Sequence, residues 1–273
     1  WCQGYSEPGA GSDLAALQTK AAIEGDEFVI NGQKIWTSGA QHADWMFALV
    51  RTDFEATKHE GISFVLFDMH QPGVSIKPIK LISGSSPFCE TFLDNVKARR
   101  DDLVGEMNKG WAIGKRLLQY ERSGIGGLAG ASKKKDKKMP KNELAVLAKK
   151  YSGEDRGLIA ERSCRDQVLV HSMRERAFQL TARRVSQENS SGKTPGPTTS
   201  IFKLVGANLA RDFTEIKSEL MGIKGIGWEG DGFSEREIES TRSWLNTRAV
   251  TIYGGTNEVQ MNIIAKRVLG LPD

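Results

Sequence analysis

Three stretches of this chain bring together residue types that can do chemistry. Tyr5-Ser6-Glu7-Pro8-Gly9-Ala10-Gly11-Ser12-Asp13-Leu14 ends a strand-like run in a compact loop of glycines and small residues. Such a loop lets backbone N–H groups approach a ligand closely, and Ser6 and Ser12 add hydroxyls. Read alone, the string is a plain turn built on Pro8-Gly9. Near the C-terminus, the β-favouring run Val250-Thr251-Ile252-Tyr253 leads into Gly254-Gly255-Thr256-Asn257-Glu258. A helix follows, with Val259, Ile263, Ile264 and Val268 on one side. Glycines before a helix whose first N–H groups are free make an anion site, with Thr256 as the N-cap. The third stretch is a carboxylate. Ile113, Leu117 and Glu121 recur at spacings of four, so Glu121 projects from the same helix face as the apolar stripe that packs inward. Desolvation raises the pKa of such a carboxylate, which suits a general base acting near neutrality. Taken by itself, Glu121-Arg122 is a solvated ion pair.

These residues need elements to position them. From Thr19 to about Val104, β-favouring runs alternate with turn signals, the pattern of an antiparallel barrel or sandwich. The strands expected are Glu27–Trp36, interrupted by Asn31-Gly32, then Asp44–Thr52, Gly61–Met69, Val74–Ile79 and Cys89–Val96. Asn31-Gly32 reads as a hairpin turn, because both residues tolerate positive φ. Trp36, taken alone, is a packing residue, as strand tryptophans usually are. After Gly105 the period becomes helical, over Gly110–Leu128, Asp155–Glu188, Thr198–Met221 and Asn257–Leu269, which reads as a helical bundle. The lysine-rich run Ser132–Lys141 between the first two helices is expected as a solvated loop, the alternative being a docking patch for an acidic partner. Ser190–Thr199 reads as an inter-helix loop. Gly124-Ile125-Gly126-Gly127 follows a helix instead of a strand and is no dinucleotide fingerprint. Gly222–Gly227 reads as the C-cap of the third long helix and a loop.

At 273 residues, two domains are expected, divided at 105/106. A composition 39% hydrophobic and 26% charged is that of a soluble globular protein, and no window is apolar enough to span a membrane. The net charge of +4 is small for the length and its excess sits in one run, which argues against nucleic-acid binding. Cys2, Cys89 and Cys164 form no Cys-x-x-Cys pair for a redox or zinc site, so no metal is expected and a reducing compartment fits. The opening Trp1-Cys2-Gln3-Gly4 carries neither an initiator Met nor a signal segment, and reads as starting mid-protein.

The string Tyr5–Leu14 resembles the middle-domain signature of the acyl-CoA dehydrogenases, and so does Asn31-Gly32-Gln33-Lys34-Ile35-Trp36-Thr37-Ser38 at the expected separation. The Gly255–Glu258 segment resembles that family's closing motif. The resemblance covers nearly all of the chain except Ser132–Gly157. It implies a middle β-barrel (residues 1–105) followed by a C-terminal four-helix bundle (residues 106–273), the family's N-terminal helical domain being missing. By match to the motifs, FAD contacts fall to Gln3, Tyr5, Ser6, Gly11, Ser12, Trp36, Thr37 and Ser38, and to Gly255, Thr256, Asn257 and Glu258. Glu219 and Gly222 match residues that approach the FAD of a neighbouring subunit. Ser12 and Arg122 fall to the acyl-CoA.

Many members hold the catalytic glutamate at the position of Gly254. The long-chain and isovaleryl-type members resemble each other in placing it instead where Glu121 stands. The resemblance therefore implies that Glu121 takes the α-proton while Gly254 keeps only a backbone N–H for the thioester oxygen. It also implies transfer of electrons to an electron-transfer flavoprotein, lipid metabolism such as fatty acid β-oxidation, a homodimer or homotetramer (a heterotetramer being the variant), and a bacterial cytoplasm or mitochondrial matrix. The lysine-rich insert replaces the family's Arg-containing stretch that reaches the neighbour's cofactor. Two alternatives stay open: an acyl-CoA oxidase, and a subunit that completes a heteromeric dehydrogenase without binding FAD itself.

Overall fold

The computed structural model describes residues 1–128, 142–189 and 197–272, without the side chains of residues 119, 121–128, 188 and 189. The chain divides into two compact units, Trp1–Leu118 and Gln119–Asp273. A β-sheet unit thus precedes a helical one, the order expected from the sequence.

In the first unit, β1 (Cys2–Gly4), β2 (Lys20–Glu24), β3 (Glu27–Ser38), β4 (Trp45–Arg51), β5 (Ile62–Asp68), β6 (Val74–Ile79) and β7 (Phe88–Arg99) form one sheet. Most neighbours are antiparallel, and β1 runs parallel to β4 with Gln3 opposite Phe47. The strands rich in β-branched and aromatic residues, β4 and β5, pair from Trp45↔Asp68 to Arg51↔Ile62. One core lies among Phe28, Ile30, Met46, Val65, Phe67 and Val96. A second, around Tyr5, Leu17, Leu49, Ile62 and Phe64, receives Ile113 and Leu117 from the first turns of α1 (Gly110–Leu128). Gly110 lets that helix start against the sheet: a Cβ there would lie 2.8 Å from Ser63 Cα.

Asn31-Gly32 is no hairpin turn. β3 runs through it as a bulge, with the register against β7 shifting between Ile30 and Gly32. Gly32 is demanded by close approach, because a Cβ would sit 2.6 Å from Thr19 Oγ1 and 2.8 Å from Thr19 Cα. The tight turn lies one strand earlier, at Gly25-Asp26, where Glu24 pairs with Glu27 and Gly25 has φ 60°.

In the second unit, α4 (Thr199–Met221) packs against α2 (Glu143–Ser152), α3 (Arg162–Asn189), α5 (Glu235–Asn246) and α6 (Asn257–Ile263). Leu144, Ala148, Val168, Ile216 and Leu220 make one core and Phe178, Phe202 and Leu209 another. Several segments depart from expectation, among them helix α2, which the sequence reading did not include. The helix expected from Asp155 starts at Arg162, because Arg156-Gly157, both at positive φ, turn a small hairpin of Glu154–Asp155 and Leu158–Ile159. Val250 belongs to a 3₁₀ turn, Thr247–Thr251, instead of a β-like run. There the Thr214 and Thr247 hydroxyls lie 2.6 Å apart, and Arg248 pairs with Glu215 at 3.0 Å. Helix α5, which the hydrophobic period did not reveal, opens on a capping box of Ser234 and Glu237. The Ser234 N–H and the Tyr151 hydroxyl hold the Glu237 carboxyl down to about 2. The lysine-rich run Ser132–Lys141 and residues 190–196 of the expected loop Ser190–Thr199 lie outside the described residues. All three cysteines are free thiols, and among the described residues no helix is long and apolar enough to cross a membrane.

Candidate functional site

The glycine-rich loop of the first unit is held from beneath. Glu7 and Ala10 exchange backbone hydrogen bonds of 3.1 and 3.0 Å, closing the Pro8-Gly9 turn. The Glu7 carboxylate accepts from Gln18 N (2.6 Å), Thr19 N (2.9 Å) and Lys34 Nζ (2.8 Å). Lys34, on β3 and 0% exposed, also donates to the carbonyls of Tyr5 (3.2 Å) and Leu49 (2.7 Å). Burial pushes the Lys34 ammonium down to about 8, against the pull of Glu7. For Glu7, burial acts upward, but the Lys34 charge and the hydrogen bonds from Lys34, Thr19 and Gln18 outweigh it and hold the carboxyl below its usual range. At the far end of the loop, Arg51 donates to the carbonyls of Ala15 (2.6 Å) and Leu17 (3.3 Å), and Lys58 pairs with Asp13.

Between these anchors, Gly9, Gly11, Ser12 and Asp13 are exposed. Neither Gly9 nor Gly11 has positive φ, and a Cβ on either would meet no heavy atom within 4 Å. Among the described residues no atom crowds Gly9 or Gly11, so both positions are open to close approach from outside.

The Ser6 carbonyl accepts from Ile35 N at 2.9 Å and ties this loop to the strand carrying Trp36. Trp36 sits in a second bulge, between Lys34 and Thr37, at φ 60°. Left-handed backbone is an outlier for a bulky residue and costs about 1–3 kcal/mol. The ring is 53% exposed and stands edge-on to Phe88, so Trp36 is not the packing residue that its type alone suggests. Ser38 is exposed, Ser6 and Gln3 are half-buried, and Thr37 is buried with its hydroxyl unpartnered among the described residues. The Tyr5 ring, 4% exposed, faces the unit's own core, edge-on to Phe47 and Phe64.

In the second unit, Gly254 and Gly255 both take left-handed φ, at 64° and 92°. Thr256 caps α6 by accepting from Val259 N at 3.2 Å. Asn257 donates to Asn208 Oδ1 on α4 at 3.0 Å, while its own Oδ1 is buried without a partner among the described residues. Gln260, 0% exposed, has both amide atoms unpartnered among the described residues, and its Nε2 lies 2.3 Å from where a Cβ on Gly255 would stand. Lys203 of α4 donates to the Val250 carbonyl and lies over the Tyr253 ring. Glu258 is exposed. Glu219 is exposed and accepts from Gln167 at 2.5 Å, and Gly222 ends α4 at φ 55°. Glu121 and Arg122 lie on α1, outside the described side chains.

Sequence reasoning did not single out Lys34, Lys203 or Gln260. Lys34 stands between Gln33 and Ile35, and no local pattern marks it as buried.

Residues 2–96 match the acyl-CoA dehydrogenase middle domain and residues 108–269 match the acyl-CoA dehydrogenase C-terminal domain. The chain belongs to the acyl-CoA dehydrogenase family. It is 40% identical to the acyl-CoA dehydrogenase IpdE1 of Mycobacterium tuberculosis over 272 residues, covering 100% of this chain and 67% of that protein. The acyl-CoA dehydrogenase FadE34 of the same organism is 36% identical over 273 residues, 100% of this chain and 35% of its own length. Among solved structures, the Tcur3481-Tcur3483 steroid ACAD superposes with a TM-score of 0.84 at 30% identity, covering 99% of this chain and 68% of that one. The ChsE4-ChsE5 complex of Mycobacterium tuberculosis does so with 0.80 at 29% identity, over 100% and 69%. The chain thus spans about two thirds of the length of IpdE1 and about one third of FadE34.

Acyl-CoA dehydrogenases are oxidoreductases acting on CH–CH bonds, and typically flavoproteins. The residues present here fit a flavin: two glycines open to close approach, a large aromatic held outward on costly backbone, and an orphaned Thr37 hydroxyl beside it.

Proposed function

We propose that the protein is an FAD-dependent acyl-CoA dehydrogenase that converts an acyl-CoA thioester to the trans-2-enoyl-CoA and passes electrons to an electron-transfer flavoprotein. The observation that carries this reading is Trp36, exposed on left-handed backbone beside the open glycine loop. Such strain persists where the surroundings impose it for a purpose.

FAD, when bound, supplies the acceptor for the hydride that leaves the β-carbon. The residues to hold it are Gln3, Tyr5, Ser6, Gly11, Ser12, Trp36, Thr37 and Ser38, with Gly255, Thr256, Asn257 and Glu258; Glu219 and Gly222 serve a neighbouring subunit's FAD. Glu121 takes the α-proton. The Gly254 N–H donates to the thioester oxygen, which gains negative charge as that proton leaves. A glutamate at 254 would have to adopt the left-handed φ of 64° that glycine tolerates, which agrees with a base placed elsewhere. Ser12 and Arg122 contact the acyl-CoA. Resemblance to a steroid ACAD makes a steroid-type thioester the first substrate class to try. The division between middle and C-terminal domains is proposed at 105/106, and a bacterial cytoplasmic setting follows the bacterial relatives.

The test is to purify the intact protein, assay bound flavin and titrate it anaerobically with acyl-CoA thioesters. Yellow protein bleached by one of them supports the reading. Colourless protein that cannot be reconstituted with FAD refutes it.

A second reading has an observation in its favour: ChsE4-ChsE5 is a complex of two named chains. A heteromeric dehydrogenase in which this chain binds no FAD itself would pair a colourless isolated protein with a yellow complex.

A further inference from the structure

The Glu7–Lys34 pair is buried, and its geometry joins separate parts of the chain. Lys34 has three N–H donors and reaches three oxygens, those of Tyr5, Glu7 and Leu49, so one residue of β3 gathers the start of the loop and strand β4. Glu7 closes the loop in the other direction. Its two oxygens take the N–H groups of Gln18 and Thr19, so the segment from Glu7 to Thr19 is clasped at its mouth by one carboxylate. Gly9, Gly11 and Ser12 lie within the clasp, and Trp36 lies two residues beyond Lys34, within the bulge that follows it. Arg51 takes other carbonyls, those of Ala15, Leu17 and Lys58, and cannot replace Lys34 in this role.

Energetics argue for a positional role. Desolvating two charges costs about as much as their attraction returns, and exchanging a buried pair for uncharged residues of similar volume is often neutral or stabilising. A buried pair here therefore adds little net stability, yet it sets where two outward-facing segments stand relative to each other.

We infer that Glu7 and Lys34 are positioning residues for the flavin site, holding the Gly9–Asp13 loop in register with Trp36. The inference rests on the reading that this face takes FAD.

The experiment compares the intact protein with Glu7→Gln, Lys34→Met and the double variant. Each is deflavinated and followed by urea unfolding, amide hydrogen exchange and the FAD dissociation constant from quenching of flavin fluorescence. Each single substitution strands one buried partner and lowers the urea midpoint. In the double variant the midpoint returns towards wild type, because neither charge is left unpaired. FAD binding nevertheless stays weaker by about tenfold or more, and amides 9–13 exchange about tenfold faster, since a methionine side chain fills the space of Lys34 without gathering the carbonyls. A purely structural pair moves the midpoint alone: a folded double variant with wild-type FAD affinity and wild-type exchange overturns the inference. Glu7→Gln, the mildest change, serves the same comparison if the others do not fold. If the wild-type protein binds no FAD, the functional reading fails, and the exchange of amides 9–13 still decides whether the pair positions the loop.

Discussion

The Lys203 ammonium lies 5.1 Å from the centre of the Tyr253 ring and donates to the carbonyl of Val250, so one buried lysine of α4 holds the chain just before Gly254. Lys203→Met strands that carbonyl and should cost about 1–3 kcal/mol in a urea titration. If Gly254 supplies the thioester donor, flavin reduction by substrate should slow while FAD affinity changes little. Equal losses in both would show that Lys203 supports the fold alone.

Glu7 gives the acid limb of stability a definite sign. Its folded carboxyl lies below the ordinary range, so its contribution is complete above the unfolded value of about 4.3 and is lost as pH falls through the folded value. Unfolding free energies measured from neutral to acid pH should fall more steeply for wild type than for Glu7→Gln, and the two curves should converge at the acid end. Parallel curves would mean that folding leaves the Glu7 pKa unchanged.

The architecture was legible in the sequence where periodicity is long and unbroken. Helix α1 occupies Gly110–Leu128 as expected, and strands β4 to β7 lie close to their expected positions. Errors came where a residue's role depends on a distant neighbour. Asn31-Gly32 has the composition of a turn, but Gly32 is set by Thr19 passing against it. Strand β2, Lys20–Glu24, carries no β-favouring pattern and is fixed by pairing with β3. The capping box at Ser234 and Glu237 was written in the sequence and marks α5, where apolar residues are few. The outward Trp36 could be anticipated only through the family resemblance, since its exposure follows from a bulge that no local pattern announces.

Gly32→Ala tests that close approach. The added methyl would meet Thr19 backbone as well as side chain, so relief requires a backbone shift, and a loss of about 1–3 kcal/mol is expected from urea unfolding. Gly9→Ala, with no atom near its Cβ, should be nearly silent in the same assay while weakening FAD binding. A stability loss at residue 9 as large as at residue 32 would contradict the packing described.

Trp36 should separate stability from cofactor binding. Trp36→Gly relieves the left-handed backbone and should leave stability unchanged or raise it by up to about 1 kcal/mol, whereas Trp36→Ala keeps a Cβ there and should be the less stable of the two. Both should retain less flavin. Full flavin content in Trp36→Gly would remove the ring from the flavin site.

The proposed role of Glu121, withdrawing an α-proton from a thioester, is tested most directly by anaerobic stopped-flow reduction of the flavin in wild-type and Glu121→Gln protein, using a thioester that bleaches the wild type. Glu121→Gln should keep its flavin and bind the thioester, yet reduce about 10²–10⁴-fold more slowly. Reduction within a few-fold of the wild-type rate would contradict the account.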